Sequence, residues 1–248
     1  MAASDWHVDA TGREARAGVV ALDDPAVPDL IGRATYILSS TPPSEGADPV
    51  LSRYEKALSA GTAQLIYLSS TGVYGDAAGA WVDETAPTGE GRRQARSAAD
   101  AGWQALGAAV LRLPGIYGPG RSPFARLRDG TATRIDAPGQ VFSRIHVDDI
   151  AAAIAAVIAT GATGIFNIAD DRPAPAADVT AFAARLAGID PPPLVPLAEA
   201  DLSPMARGFY TENRRVANGK MKRDLGLALR YPDYRAGLRA VWEEEKRA

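Results

Sequence analysis

Short apolar runs of strand length alternate with helix-length segments along most of this chain. ATYILSS, AQLIYLSS and GIFNIAD have the pattern of buried strands, and DPVLSRYEKALSAG and HVDDIAAAIAAVIATG have helical spacing. Continuous apolar strands separated by single helices indicate parallel strands that are covered on both faces. The sequence therefore predicts an α/β fold with a doubly wound parallel sheet.

One of these strands ends in a notable way. In LIYLSSTGVYGD, residues 65–76, four large apolar or aromatic residues are followed directly by small hydroxyl residues and glycine. In doubly wound sheets, ligands bind outside the carboxyl ends of the strands. The polar residues that leave this buried strand therefore predict the edge of a site.

Composition excludes several classes of function. The 248 residues carry a net charge of -3 and a pI near 5.5, which gives no basic footprint for nucleic acid or an anionic membrane surface. Cysteine is absent and only two histidines are present, so disulfides, thiolate catalysis and a metal site are not expected. A small molecule is the expected partner.

Targeting signals are not expected either. No apolar stretch reaches the roughly 18 residues that a membrane span requires, and the first residues lack a basic region followed by an apolar one. These features, together with the absence of cysteine, suit a cytoplasmic protein.

Proline and glycine become dense in the later part of the chain, which predicts loops and short helices there. We expect a Rossmann-like core in residues 1–115, continued by 140–169. A smaller substrate or cap region is expected in residues 116–139 and 170–248. Within it, the tail YRAGLRAVWEEEKRA predicts an amphipathic helix with Leu238, Val241 and Trp242 toward the core.

Five motifs occur in a characteristic order: YLSSTGVYGD, WVDETAP, LRLPGIYGPGR, SRIHVDDIA and GIFNIAD. Together they resemble the NAD(P)-dependent epimerase/dehydratase group of extended and atypical short-chain dehydrogenases/reductases. The resemblance covers nearly the whole chain. It implies a Rossmann domain with a small C-terminal substrate domain and an active site in the cleft between them.

The resemblance assigns a catalytic role to Ser70, which lies three residues before the valine of Val-Tyr-Gly. In the family, a hydroxyl at this place polarises the substrate's carbonyl or alcohol oxygen. The alternative is a structural hydroxyl that caps the turn after the strand.

The family's second catalytic element, a Tyr-x-x-x-Lys pair, is missing. Where the family would place it, the chain has Arg92 and Arg96. Arginine stays protonated, so Arg92 cannot donate and accept the proton as tyrosine does. The two arginines are either a solvated helix face or a clamp for a phosphate or carboxylate, with Arg92 toward substrate and Arg96 toward cofactor. Tyr74 is the nearby phenol that could substitute as the acid.

A third family element, the glycine-rich turn that cradles the pyrophosphate, is also not found. The start of the sequence resembles the end of the family's first helix and its second strand, so the first βα unit is expected to be missing, through a late start codon or a true loss. Loss of a central strand would leave unpaired backbone groups and an apolar groove. A neighbouring chain could fill that groove, so a homodimer is one expected outcome.

The remaining assignments also follow from the resemblance. Arg13, after the family's second strand, favours NADP as the cofactor, with NAD as the alternative. Arg13 could also be a surface arginine that makes no contact with a cofactor. Thr41 and Pro42 are expected to contact the cofactor. Pro114, Arg121 and His146 are expected in the substrate region, although His146 has a strong structural alternative, in which it orders a loop while Asp148 caps the next helix.

Two hypotheses of function remain. The first is an atypical NAD(P)-dependent oxidoreductase or epimerase/dehydratase that acts on a carbonyl, alcohol or sugar-nucleotide substrate. The second is a non-catalytic Rossmann-like protein that binds a nucleotide or metabolite and has a regulatory role.

Overall fold

The computed structural model describes residues 6–44, 46–89 and 94–247. The strands in this part of the chain are β1 Ala10–Gly12, β2 Val19–Ala21, β3 Tyr36–Ser39, β4 Gln64–Ser70, β5 Trp81–Val82, β6 Ala109–Leu113, β7 Gly115–Tyr117, β8 Arg134–Asp136, β9 Arg144–His146, β10 Gly164–Asn167, β11 Leu194–Pro196 and β12 Arg215–Val216. The helices are α1 Val27–Arg33, α2 Pro49–Ala60, α3 Gln94–Ala105, α4 Phe124–Arg128, α5 Val147–Thr160, α6 Ala176–Leu186, α7 Pro204–Gly208, α8 Gly219–Asp224 and α9 Tyr234–Glu245.

A four-stranded parallel sheet forms the centre of the fold. Its strand order is β10-β6-β4-β3, and all three pairings are parallel. Strand β6 is buried at all five positions because it lies inside the sheet and is covered on both faces. The predicted α/β fold with a parallel sheet is confirmed.

Two apolar clusters cover the two faces of this sheet. On one face, α2 and α3 pack Leu58 and Trp103 against Leu65, Tyr67 and Val110. On the other face, α5 packs its buried residues against a second cluster; among that cluster's members are Ile66, Leu111, Ile150, Val157 and Phe166. Alternate residues of β4 therefore face opposite helical layers, as the two-residue period of a strand requires.

The first two strands form a separate parallel ribbon. Within the described residues β1 pairs with β2 alone, and β3 pairs with β4 alone. An ion pair between Asp9 and Arg33 and a ring contact between Trp6 and Tyr36 link the ribbon to the sheet. The outer edge of β3 is apolar and open, with Leu38 48% exposed.

The later part of the chain has an apolar cluster of its own. It unites α4, α6 and α9, and its buried members are Tyr117, Phe124, Leu127, Ala174, Val179, Ala183, Ala184, Tyr234, Leu238 and Val241. Leu238 and Val241 of the terminal helix are each 1% exposed, and Trp242 packs on the same cluster, so the amphipathic prediction is confirmed.

Two local predictions need correction. The run WHVDA is predicted as a strand, but regular pairing begins only at Ala10. Helix α5 is capped by His146, whose Nδ1 accepts a hydrogen bond from the backbone N–H of Asp148, so Asp148 is not the capping residue. Among the residues that the structure describes, no helix is long and apolar enough to cross a membrane.

Candidate functional site

Strand register brings several of the sequence-predicted residues to one edge of the sheet. Ser39 lies opposite Tyr67, and Ser70 lies opposite Leu113. Thr41 therefore leaves β3, and Pro114 leaves β6, on the same side as Ser70. Because the strands are parallel, this edge gathers their carboxyl ends, where ligands of doubly wound sheets bind.

The Ser70 hydroxyl occupies the centre of this edge. Its Oγ accepts a hydrogen bond of 3.1 Å from the backbone N–H of Gly72, which caps the 3-10 turn Thr71–Tyr74. The side chain is half-buried. A hydroxyl that accepts one bond keeps its own hydrogen for donation, and no acceptor for it is found among the described residues. The capping role and a role in polarising a ligand oxygen are therefore compatible.

A buried ionic network holds Ser69, the neighbour of Ser70 in β4. Arg112 donates to both carboxylate oxygens of Asp100, at 3.1 and 2.7 Å, and the side chains are 2% and 1% exposed. Ser69 donates to Asp100 as well, and Gln104 also donates to it. The network ties β4, α3 and β6 together and so fixes the backbone that presents Ser70.

Tyr74 is built into the same region. It is 6% exposed, and its hydroxyl donates a hydrogen bond of 2.7 Å to Oδ1 of Asn167. The guanidinium of Arg112 lies 4.8 Å from the centre of its ring. Burial raises the pKa of Tyr74, and Arg112 and Asn167 only partly oppose this. A proton transfer by Tyr74 would require its bond to Asn167 to break.

Arg96 makes a contact that sequence reasoning missed. Its Nη1 donates a hydrogen bond of 2.9 Å to the hydroxyl of Tyr67, which is fully buried and stacks on Trp103. Burial raises the pKa of Tyr67 despite this bond. Arg96 thus holds α3 onto β4. Arg92, its predicted companion, lies outside the described residues.

The other three residues predicted to contact the cofactor fall in two places. Arg13 is exposed and follows β1, whereas Thr41 is half-buried and Pro42 is exposed just beyond β3. Ser39, at the end of β3, is a candidate contact that sequence reasoning missed. It is 5% exposed, and its Oγ has no hydrogen-bond partner among the described residues. A buried, unpaired hydroxyl beside an open strand edge fits a polar ligand that covers it.

These residues fit part of a dinucleotide. Ser39, Thr41 and Ser70 offer hydroxyl contacts along the edge, and Arg13 offers a cation for a phosphate. The described residues include no glycine-rich turn between a first strand and a helix, so they form no such cradle for the pyrophosphate.

Besides Arg92, three residues are predicted to bind substrate, and all three follow β6 in the chain. Pro114 is half-buried at the carboxyl end of β6, and Arg121 is exposed at the rim of a cavity of about 380 Å³. His146 is 2% exposed, lies 4.1 Å from the ring of Tyr231, and has no partner for its Nε2 among the described residues. It is the last residue of β9 and lies opposite Tyr117 of β7.

Asp170 is a further residue that sequence reasoning missed. It follows β10, is 1% exposed, and accepts a bond of 3.1 Å from the backbone N–H of Arg172 through Oδ1. Its Oδ2 is buried without a partner among the described residues. Burial raises the pKa of Asp170 to about 7, although the Arg172 N–H and the charge of Arg144 oppose the shift. The carboxyl group is therefore partly protonated near neutral pH.

This shift predicts a pH dependence of stability. The folded pKa lies above the unfolded value of about 3.9, so the folded state binds the extra proton. The stabilisation is complete below about pH 4 and is lost as the pH rises through 7. Asp170→Asn, which stays neutral, should unfold in urea with a smaller loss of stability between pH 4 and 7. At pH 8 the free energy of unfolding of Asp170→Asn should exceed that of the wild type by a few kcal/mol.

The control for this prediction is Asp224→Asn, at an exposed aspartate in the last turn of α8. It should follow the wild-type profile. If Asp170→Asn and wild type show parallel profiles from pH 4 to 8, Asp170 does not carry the proton.

Comparison with known proteins places this geometry in context. No family model matches the chain. A 3-diazoavenalumate denitrifying reductase from Streptomyces sp is 36% identical over 146 residues, covering 54% of this chain and 46% of that protein. Protein YeeZ from Escherichia coli K12 is 31% identical over 187 residues, covering 72% of this chain and 62% of that protein. The chain thus spans about half to three-fifths of the length of these curated relatives.

Solved structures match more of the chain. A functionally unknown conserved protein from Silicibacter pomeroyi is 43% identical, with a TM-score of 0.89 over 97% of this chain and 91% of that one. A putative NAD-dependent epimerase/dehydratase from Methylobacillus flagellatus is 26% identical, with a TM-score of 0.69 over 94% and 86%. The chain is similar in sequence and fold to a putative NAD-dependent epimerase/dehydratase. The resemblance carried by the five motifs is confirmed.

More distant family structures share the fold alone. A human epimerase family protein, solved with NADPH, is 16% identical, with a TM-score of 0.68 over 94% of this chain and 90% of that one. The Rossmann-like fold class of this chain is therefore supported by structures at widely different identities.

Proposed function

We propose that this protein is an NADP-dependent oxidoreductase or epimerase that acts on a carbonyl or alcohol group of a small molecule. The observation that carries the proposal is the Ser70 hydroxyl at the carboxyl end of the central strand β4, with Thr41 and Pro114 leaving the neighbouring strands on the same edge. The 3-diazoavenalumate denitrifying reductase among the relatives favours reduction over epimerisation.

Each residue at the edge has a stated task in this proposal. Ser70 donates its free hydroxyl hydrogen to the substrate oxygen, while the Gly72 N–H holds the Oγ in place. Arg13 contacts the 2′-phosphate that distinguishes NADP from NAD, and Ser39 and Thr41 contact the cofactor from β3. The bound nicotinamide would supply or accept the hydride. Arg96 orders Tyr67 and α3 and takes no part in proton transfer.

The proton that accompanies reduction requires a donor, and the chain does not provide the usual Tyr-x-x-x-Lys pair. Tyr74 stays a prediction for this role, since its hydroxyl is within the site region but is bonded to Asn167. We also propose that residues 1–115 with 140–169 form the core and that 116–139 with 170–248 form the cap. The separate apolar cluster of α4, α6 and α9 supports this division. The homodimer stays a prediction.

The proposal predicts a loss of turnover in Ser70→Ala. NADPH oxidation, followed at the nicotinamide absorbance band with a panel of carbonyl, sugar-nucleotide and aromatic diazo compounds, should fall by about 100-fold or more, the effect of removing one preorganised donor. Ser70→Thr keeps a hydroxyl and should recover a large part of the rate.

Because Ser70 also caps a turn, the thermal stability of both variants must be compared with that of the wild type. Wild-type turnover in a folded Ser70→Ala protein would remove Ser70 from the mechanism.

A further inference from the structure

A cavity of about 380 Å³ lies between the cap helices α4, α6 and α9 and the strand pair β7 and β9. Its lining includes Ile116, two residues after Pro114, which follows β6 at the carboxyl edge of the sheet. Apolar side chains line part of it, among them Val179 and Leu238. A cavity of this size suits a small organic ligand.

Positive charge dominates the lining. Arg121, Arg126 and Arg144 contribute three guanidinium groups, and none of the lining residues is acidic. In the part of the chain that the structure describes, no carboxylate lies within ion-pair distance of these three arginines. Glu245 of α9 accepts a hydrogen bond from Ser122, which lines the cavity, and pairs with Arg128.

Backbone hydrogen bonds hold the Arg144 guanidinium in a fixed position. Its Nη1 donates to the backbone carbonyls of Phe142 and Ala174, at 2.8 and 2.9 Å. No hydrogen bond from its Nε or Nη2 is found among the described residues, so one edge of the guanidinium has two donors to offer. A desolvated cation is costly unless it is paired. Asp170 has the strongest charge interaction of any acid with Arg144, but its own raised pKa shifts it toward the neutral form.

The start of α6 adds to this field. Helix α6 has 11 residues, its N-cap Pro175 has no side chain that could cap the first turn, and Ala176 lines the cavity. Free backbone N–H groups and the helix dipole favour an anion there. Asp178 in the first turn offsets part of the effect from its exposed position.

We propose that this cavity binds the oxyanion of an organic acid, a carboxylate or phosphate, between Arg121, Arg126 and Arg144, with the apolar body of the ligand against Ile116, Val179 and Leu238. The inference rests on the proposed function, because it makes this acid the substrate class of the site at the carboxyl edge. Arg121, predicted as a substrate residue, then acts together with two arginines that sequence reasoning missed.

Calorimetric titration of the full chain with benzoate, phenyl phosphate and benzamide tests the inference. Benzoate or phenyl phosphate should bind with saturation, more weakly at higher salt, and at least about tenfold more tightly than neutral benzamide. The two anions distinguish a carboxylate site from a phosphate site. The double variant Arg121→Gln with Arg126→Gln changes exposed residues and should weaken the anion by about tenfold or more. Arg144→Met should do the same if its melting temperature shows that it is folded.

A second variant keeps every charge. Thr180→Trp fills the cavity from α6 and should abolish binding of the anion, whereas Thr160→Val at the exposed end of α5 should leave it unchanged. Benzamide binding as tight as benzoate, or anion binding that is unchanged in Thr180→Trp and the double variant, overturns the inference.

The same samples separate this inference from the proposed function. If NADPH binds and neither anion does, the cavity assignment fails and the proposed function stands. If an anion binds in this cavity and neither NADPH nor NADH binds, the oxidoreductase proposal fails. The acid can then not be the substrate of that reaction, so this part of the inference fails too, and only the anion site remains.

Discussion

Asp100→Asn is expected to lower the free energy of unfolding by about 3 to 5 kcal/mol, the usual cost of leaving a buried charge unpaired. Arg112 would lose its carboxylate partner, and its Nη1 is already without a partner among the described residues. Ser69 would lose a strong acceptor next to Ser70. Urea unfolding at pH 7 measures the change.

Two comparisons make this test specific. The apolar double variant Asp100→Leu with Arg112→Met removes both charges and should recover much of the lost stability. Glu243→Gln breaks the exposed pair with Lys246, and the change should stay below about 0.5 kcal/mol. If Asp100→Asn is as mild as Glu243→Gln, the buried network does not hold the sheet and α3 together.

Trp103→Ala should lower the free energy of unfolding by a similar amount, about 3 to 5 kcal/mol. Trp103 is fully buried, its ring stacks 5.3 Å from that of Tyr67, and its Nε1 donates to Asp48 at 3.0 Å. Asp48 in turn caps α2 by accepting from the N–H groups of Val50 and Leu51. The substitution therefore opens a cavity between α2, α3 and β4 and removes a hydrogen bond.

The matched control is Trp81→Ala, because Trp81 is 60% exposed. Its cost should stay within about 1 kcal/mol. Trp103→Phe keeps an aromatic ring against Tyr67 but loses the bond to Asp48, and an intermediate cost is expected. Equal losses for Trp103→Ala and Trp81→Ala would contradict the packing described for this face of the sheet.

The fold could be predicted because its signals are local. The apolar runs of β3, β4, β6 and β10 and the helical periods between them are complete within short windows of sequence. The end of β4 at Ser70 was visible for the same reason. The start of β1 was predicted too early because Trp6 and Val8 are apolar and suggested a buried strand. In the structure both side chains are exposed, and both residues lie outside the strand pairing.

The contacts that decide the site are long-range, and sequence spacing does not reveal them. Arg96 meets Tyr67 across 29 positions, and Tyr74 meets Asn167 across 93. The elevated pKa of Asp170 depends on burial by distant elements. The cap at His146 was missed because histidine is an uncommon N-cap and Asp148 is a preferred type close by. The arginine cavity arises only when α4, α6 and β9 are packed together.

The central claim is the proposed use of NADP as the cofactor. Fluorescence titration of the full 248-residue chain with NADPH and with NADH tests it most directly. The account predicts saturable binding of both, NADPH at least about tenfold tighter, and a ratio close to one in Arg13→Gln, because one arginine contact with the 2′-phosphate is worth about that factor. No saturable binding of either nucleotide, by a protein whose circular dichroism shows it to be folded, would contradict the account.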